Sequence, residues 1–144
     1  MSDCWFSSLE TLKLNCFDFD NDEAVIPICP ELLKSVLMAA KEMSVLDLEG
    51  NFLEVVTDAY FSEIVRVNPL SSLSILYIGD ADGEVGSTPL TISTVQLLLS
   101  KCDCLKELDI SDWNVTWKQF IKLNRIVKNN NWDLIIRRDE MEGN

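Results

Sequence analysis

The sequence predicts an α/β fold built of repeats: a curved parallel sheet on the concave side, helices on the convex side, four repeats and a partial closing one. Two observations predict it. Four segments carry apolar residues at the first, fourth and sixth positions of a short pattern, which alternates as a strand with one buried face does. Between them lie stretches with apolar residues at the three- and four-residue spacing of a helix.

The strand segments are Leu9-x-x-Leu12-x-Leu14, Met43-x-x-Leu46-x-Leu48, Leu73-x-x-Leu76-x-Ile78 and Leu105-x-x-Leu108-x-Ile110, and a partial fifth falls at Leu134 and Ile136. The returning helices are expected over Glu31 to Glu42, Asp58 to Val67, Ser93 to Lys101 and Trp117 to Val127. Pro30 suits a first helical position, where its missing N–H costs nothing. Thr116 with Gln119 forms a capping box that satisfies free N–H groups at the last helix start. In that helix Phe120, Leu123, Asn124 and Val127, with Ile121 beside them, make a largely apolar stripe.

The second segment runs on as Glu49-Gly50-Asn51-Phe52-Leu53. This gives L-x-x-L-x-L-x-x-N-x-L with Met in the first slot and resembles the leucine-rich repeat. The fourth position recurs at 12, 46, 76, 108 and 134, in steps somewhat longer than the roughly 20 to 29 residues of that family. The family's ninth position holds Asn or Cys, whose side chains ladder through the turns. Here that slot holds Phe17, Asn51, Ala81 and Trp113. Either apolar packing holds the turns instead, or the first repeat is shifted by one, toward Cys16. The competing architecture is a regular α/β domain with several buried strands.

At 144 residues and 47% hydrophobic, the chain reads as one repeat domain over 1–138, followed by a disordered acidic tail over 139–144. Trp5 and Phe6 resemble the end of a preceding repeat, so the expectation is the C-terminal part, or a short isoform, of a longer solenoid. Arg137, Arg138 and the polar tail read as protection of an edge strand.

Net charge is −12, and it is unevenly placed: residues 1 to 100 hold 16 acidic and 4 basic side chains, and residues 101 to 144 hold 8 of each. Such a field disfavours nucleic acid and anionic membrane as partners and favours a basic protein surface. Ser2 and Asp3 replace the basic start of a signal peptide, and no apolar run approaches the roughly 20 residues of a membrane span. Five cysteines, an odd number without C-x-x-C, read as reduced thiols and a cytoplasmic location, with the nucleus as the alternative. In that setting Asn114-Val-Thr116 is a chance glycosylation match.

The chain has no histidine, which removes Ser-His-Asp and Cys-His mechanisms and makes a zinc site at Cys102-Asp-Cys104 improbable. Gly79-Asp-Ala-Asp-Gly83-Glu-Val-Gly86 lacks the spacing and the Lys of a P-loop. Asp18-Phe-Asp20-Asn-Asp22-Glu23 places aspartates at calcium-loop positions 1, 3 and 5, but Glu23 stands where Gly is needed and Cys29 where the bidentate Glu belongs. Asp80-Ala-Asp82-Gly83-Glu84 fits no better, with Thr91 in the last slot. The expectation is therefore no catalytic residue, no metal and no cofactor.

Strand alternation sends the intervening residues outward in three rows: Lys13, Asp47, Tyr77, Asp109, Ile135; Thr11, Val45, Ile75, Glu107, Asp133; and Asn15, Glu49, Gly79, Ser111, Arg137. Their centre places Val45, Ile75 and Tyr77 among Asp47, Glu49, Glu107 and Asp109. An aromatic and aliphatic patch rimmed by carboxylates has the anatomy of a binding hot spot. It suits a protein partner that offers Arg or Lys beside an apolar side chain. The alternative is that segment 79–90 covers Ile75 and Tyr77.

The step Cys102-x-x-Leu105-x-x-Leu108-x-Ile110 resembles the leucine-rich repeats of F-box and related substrate receptors of cullin ubiquitin ligases. That likeness implies substrate capture on the concave face, with contact to a ligase adaptor through a region outside this chain. The rival expectation is a scaffold or inhibitor-like signalling protein that binds its target directly.

Overall fold

The computed structural model describes residues 7–16, 29–50, 55–79, 86 and 88–138. Five parallel strands pair in chain order: β1 (Thr11–Cys16), β2 (Val45–Gly50), β3 (Ile75–Gly79), β5 (Glu107–Asp109) and β7 (Ile135–Arg137). A second, two-stranded sheet joins β4 (Thr88–Thr91) to β6 (Trp113–Asn114). Four helices are described: α1 (Pro30–Ala39), α2 (Asp58–Val67), α3 (Ile92–Lys101) and α4 (Trp117–Asn129). The chain is thus an α/β protein with an open five-stranded parallel sheet.

Within the five-stranded sheet the strands lie side by side in chain order because the same positions repeat. Leu12 pairs with Leu46, Leu46 with Leu76, and Leu76 with Leu108. The first segment is therefore in the predicted frame. The same double backbone link recurs at the entries of β2, β3 and β5: Glu10 O accepts from Ser44 and Val45, Ser44 O from Ser74 and Ile75, and Ser74 O from Lys106 and Glu107, whereas at β7 Lys106 O accepts from Ile135 alone.

The closing segment is a correction. Ile136, not Leu134, stands opposite Leu108, so Ile135 lies beside Glu107 and Arg137 beside Asp109. A two-residue slip keeps every side chain on its face, so alternation alone does not detect it. The slip also puts Arg138, only 7% exposed, where earlier segments have Leu48, Ile78 and Ile110. Its Nε donates to Val115 O at 3.1 Å and its guanidinium lies 5.3 Å from the Trp117 ring, which compensates its burial.

The pattern residues form the core. Met43, Leu73 and Leu105, then Leu46, Leu76 and Leu108, then Leu48, Ile78 and Ile110 are buried, together with Leu33, Leu37, Phe61, Ile64, Val95, Leu98 and Leu123 from the helices. Leu9, Leu12 and Leu14 are only partly buried.

Pro30 opens α1, and the Thr116–Gln119 capping box opens α4 with both reciprocal bonds made. Thr57 and Thr91 cap α2 and α3 through bonds from Tyr60 N and Ser93 N, at 3.2 Å each. Helix α1 ends at Ala39, short of the expected Glu42, because Ala40 N–H closes on Val36 O and the chain turns through Met43 N–H to Ala40 O. Helix α4 runs two residues past Val127, and the turn after it is completed by Asn131 at φ 54°.

The end of α1 is tied to the turn after α2 at an unanticipated place. Asn68, 2% exposed, donates to Leu37 O at 2.8 Å and Ala40 O at 2.9 Å, and accepts from Leu70 N at 3.3 Å. Leu70 itself sits at φ 58°. At the ninth position, Trp113 is fully buried and its indole N–H donates to Ile78 O at 2.8 Å. Apolar packing with one polar tip thus occupies that slot; Phe17, Asn51 and Ala81 lie outside the described residues. Helices α1 and α2 are joined further by Lys34 to Glu63 at 2.6 Å and by Tyr60 Oη to Pro30 O at 2.6 Å. The Asp58 carboxylate at the start of α2 accepts from Thr91 N, Thr91 Oγ1 and Thr94 Oγ1, joining α2 to α3.

Candidate functional site

The outward residues of β2, β3 and β5 share one sheet face. Register places Asp47 beside Tyr77 and Tyr77 beside Asp109, and in the next row Val45 beside Ile75 and Ile75 beside Glu107. Glu49 pairs with Gly79. All seven predicted site residues, Val45, Asp47, Glu49, Ile75, Tyr77, Glu107 and Asp109, are half-buried and fall on this face. Lys13 precedes Asp47 and Arg137 follows Asp109 in the central row. The row is acidic in the middle and basic at both edges.

Tyr77 is its chemical centre. Burial pushes its phenol well above the usual tyrosine range, and the charges of Glu49, Asp112, Asp109 and Asp47 push it the same way. The hydroxyl therefore stays protonated and polar over the whole physiological range. Asp109 Oδ1 accepts from Ser111 N at 3.0 Å, which orients its carboxylate. Glu107 lies 3.7 Å from Arg137, and both side chains are about half exposed, an arrangement of little energetic weight.

Two further residues belong to the site: Gly79, already in the outward row beside Glu49, and Asp112. Asp112, almost wholly buried, lies after β5 and closes on Gly79. A Cβ at Gly79 would stand 2.5 Å from Asp112 Oδ2 and 3.1 Å from the Tyr77 hydroxyl. Only glycine lets both groups approach the strand so closely, and an isolated glycine in a strand pattern was the available signal. Nothing in the local sequence marks Asp112.

The carboxylates of this face do not converge as a metal site does. Asp47 and Asp109 are carried two strands apart, with Tyr77 on the strand between them. Among the described residues no group of three or more Cys, Asp or Glu side chains could hold a metal ion. The two acidic loops tested for calcium lie largely outside the described residues, as do Trp5, Phe6 and the 139–144 tail. Of segment 79–90, residues 88–90 open β4, and 80–85 and 87 are outside that set. A groove of about 390 Å³ adjoins the face, lined by Asp109, Ser111, Trp117, Phe120, Arg137 and Arg138 among others.

The fold and face together define an α/β protein whose parallel sheet presents an aromatic, acid-rimmed surface. No family model matches the chain, and no curated protein or solved structure matches it. Among the described residues no helix is long and apolar enough to cross a membrane.

Proposed function

We propose that this chain is a leucine-rich repeat solenoid acting as a non-catalytic protein-binding module. Its sheet face takes a partner segment that carries Lys or Arg beside an apolar side chain. One observation carries this reading: outward side chains of three adjacent strands surround Tyr77 with carboxylates and with Val45 and Ile75. A cation seated there meets Asp47 and Asp109 from either side, while the ring and the aliphatic pair shed water against the partner's apolar surface. Sequential strand order and the recurring strand-entry link support the repeat architecture.

The role favoured by the Cys102 to Ile110 step is substrate recognition for a cullin-type ubiquitin ligase. Within that step Cys102 is buried and its thiol lies 3.8 Å from Pro69 O, so it serves the turn between repeats. The described thiols Cys29, Cys102 and Cys104 are unpaired, which supports a reducing compartment such as cytoplasm or nucleus.

The test is affinity capture from cell extract with the wild-type chain and an Asp47→Lys, Tyr77→Ala, Asp109→Lys variant. Partners that the wild type holds and the variant loses are expected. For a purified partner, Tyr77→Ala alone is expected to weaken binding by about 2 kcal/mol, roughly 30-fold in Kd. Cullin adaptors or ubiquitylated proteins among the lost partners would support the ligase role. Identical partner sets, with circular dichroism showing the variant folded, would refute the face as the binding site.

A further inference from the structure

Helix α4 presents a second charged surface, opposite in sign to the sheet face. Lys118, Lys122, Arg125 and Lys128 are all exposed on it, and the helix contains no acidic residue. At 100° per residue these four fall within a 120° arc, and Ile121, 42% exposed, sits inside that arc. None of the four is in an ion pair among the described residues. The stripe is thus a helix surface carrying Lys and Arg beside an apolar side chain, the chemistry the sheet face is built to take.

We propose that the α4 stripe of one copy docks on the Asp47–Tyr77–Asp109 face of a second copy, an inference that rests on the proposed binding role of that face. The dimensions agree. Lys118 and Arg125 are seven residues apart, about 10.5 Å along the helix axis, against about 9.6 Å between the strands that carry Asp47 and Asp109. With the helix laid across the strands, the two cations meet the two carboxylates and Ile121 falls over Tyr77. The contact joins two different surfaces, so both remain available at the ends of a pair and association propagates head to tail. Charge pairing sets its register, and salt weakens it.

Sedimentation velocity over a concentration series tests this with two variants: Asp47→Lys with Asp109→Lys, and Lys118→Glu with Lys122→Glu and Arg125→Glu. All five positions are at least partly exposed, and circular dichroism verifies that each variant folds. Wild type is expected to grow in mass with concentration, and its apparent Kd to weaken at least about tenfold between roughly 0.05 and 0.5 M salt. Each variant alone is expected to remain monomeric. Their mixture restores opposite charge at both contacts, the native stripe on the native face and the Glu stripe on the Lys face, and should associate with growing mass although neither variant does so alone. A monomeric wild type, or variants that associate as wild type does, would overturn the proposal. If the wild type is monomeric yet the sheet-face variant still loses its captured partners, self-docking fails and the binding role stands. If neither effect appears, both fail. Binding of a monomeric wild type to phosphatidylserine vesicles, lost in the helix variant, would overturn self-docking by assigning the stripe to an anionic surface.

Discussion

Replacing Asn68 with alanine should damage this protein more than its size suggests. The side chain is 2% exposed and makes three hydrogen bonds, to Leu37 O, Ala40 O and Leu70 N. Ala40 O retains Met43 N–H as a donor at 3.3 Å, so its loss is partial. Leu37 O lies in the last turn of α1, where carbonyls lack intrahelical partners, and the Leu70 N–H belongs to a fully buried residue with positive φ. Two buried groups losing their partners at about 1–3 kcal/mol each give a total of about 2–4 kcal/mol once non-additivity is allowed for. That is a large share of the 5–15 kcal/mol typical of a folded domain. Urea unfolding followed by circular dichroism measures it. A loss below about 1 kcal/mol at unchanged m-value would refute the assignment of Asn68 as the tie between the end of α1 and the turn after α2. Asn68→Asp sharpens the test through pH. Its carboxyl would face two carbonyl oxygens in a buried site, which raises its folded pKa above the unfolded value near 3.9. For an acid raised in the folded state the penalty is absent below the unfolded pKa and grows as pH rises. The aspartate variant should therefore recover stability toward pH 4 relative to pH 7, and the alanine variant should not.

Three further outcomes follow from the geometry. Trp113→Phe keeps the ring in the core but removes the donor to Ile78 O, and should cost about 1–3 kcal/mol in urea unfolding; a change within 0.5 kcal/mol would place no weight on that bond. The chain has two tyrosines; burial first, then the charges of Glu31 and Cys29, pushes Tyr60 up to about 12, and Tyr77 is also raised. Absorbance titration of the folded protein should show no tyrosinate midpoint near pH 10, and since both phenols are raised, their contribution to stability should be lost as pH climbs above about 10; a midpoint at 10 in wild type that vanishes in Tyr77→Phe would refute the environment described for Tyr77. Burial, then Asp103 and Cys104, pushes the Cys102 thiol up to about 12, whereas Cys29 and Cys104 are exposed. Maleimide labelling near pH 7.5, mapped by mass spectrometry, should therefore modify Cys104 quickly and Cys102 only at the unfolding rate; equal rates would contradict its burial.

What the sequence reveals about this protein follows from which physical signals are periodic. Burial on one face of a strand is periodic, so the rows through Leu46, Leu76 and Leu108 could be read directly, and with them the seven outward residues of the face. Helix starts were legible where a local rule applies, at Pro30 and at the Thr116–Gln119 box. Tertiary choices were not. The frame of β7 depends on whether Ile136 or Leu134 fills the place next to Leu108, and both keep the alternation intact. The chosen frame requires Arg138 in an inward position, which composition argues against until Val115 O and Trp117 are seen beside it. Strands β4 and β6 are four and two residues long, too short for a period. Asn68 and Asp112 act through partners about 30 residues away in the chain, a relation no local pattern carries.

The charge order of the central row also decides how copies of this chain can meet. Continuing the sheet edge to edge, with β7 of one copy alongside β1 of the next in the frame the other strands keep, would place Arg137 directly beside Lys13. Cross-strand neighbours on one face lie about 4.5–5.5 Å apart, and like charges at that distance oppose pairing. The apolar residues do not resist it: Ile136 would meet Leu12, and Ile135, 54% exposed, would gain cover. Charge therefore guards an edge that hydrophobic burial alone would leave open, the usual device against sheet extension. The carboxylates at the centre of the same row have the opposite effect on a cationic helix laid across the strands. One row of side chains thus disfavours growth through the backbone edge and favours docking through the face. Replacing Lys13 and Arg137 with threonine should increase edge association without weakening face binding, and concentration-dependent growth in mass that persists in the presence of Asp47→Lys and Asp109→Lys would distinguish the two routes.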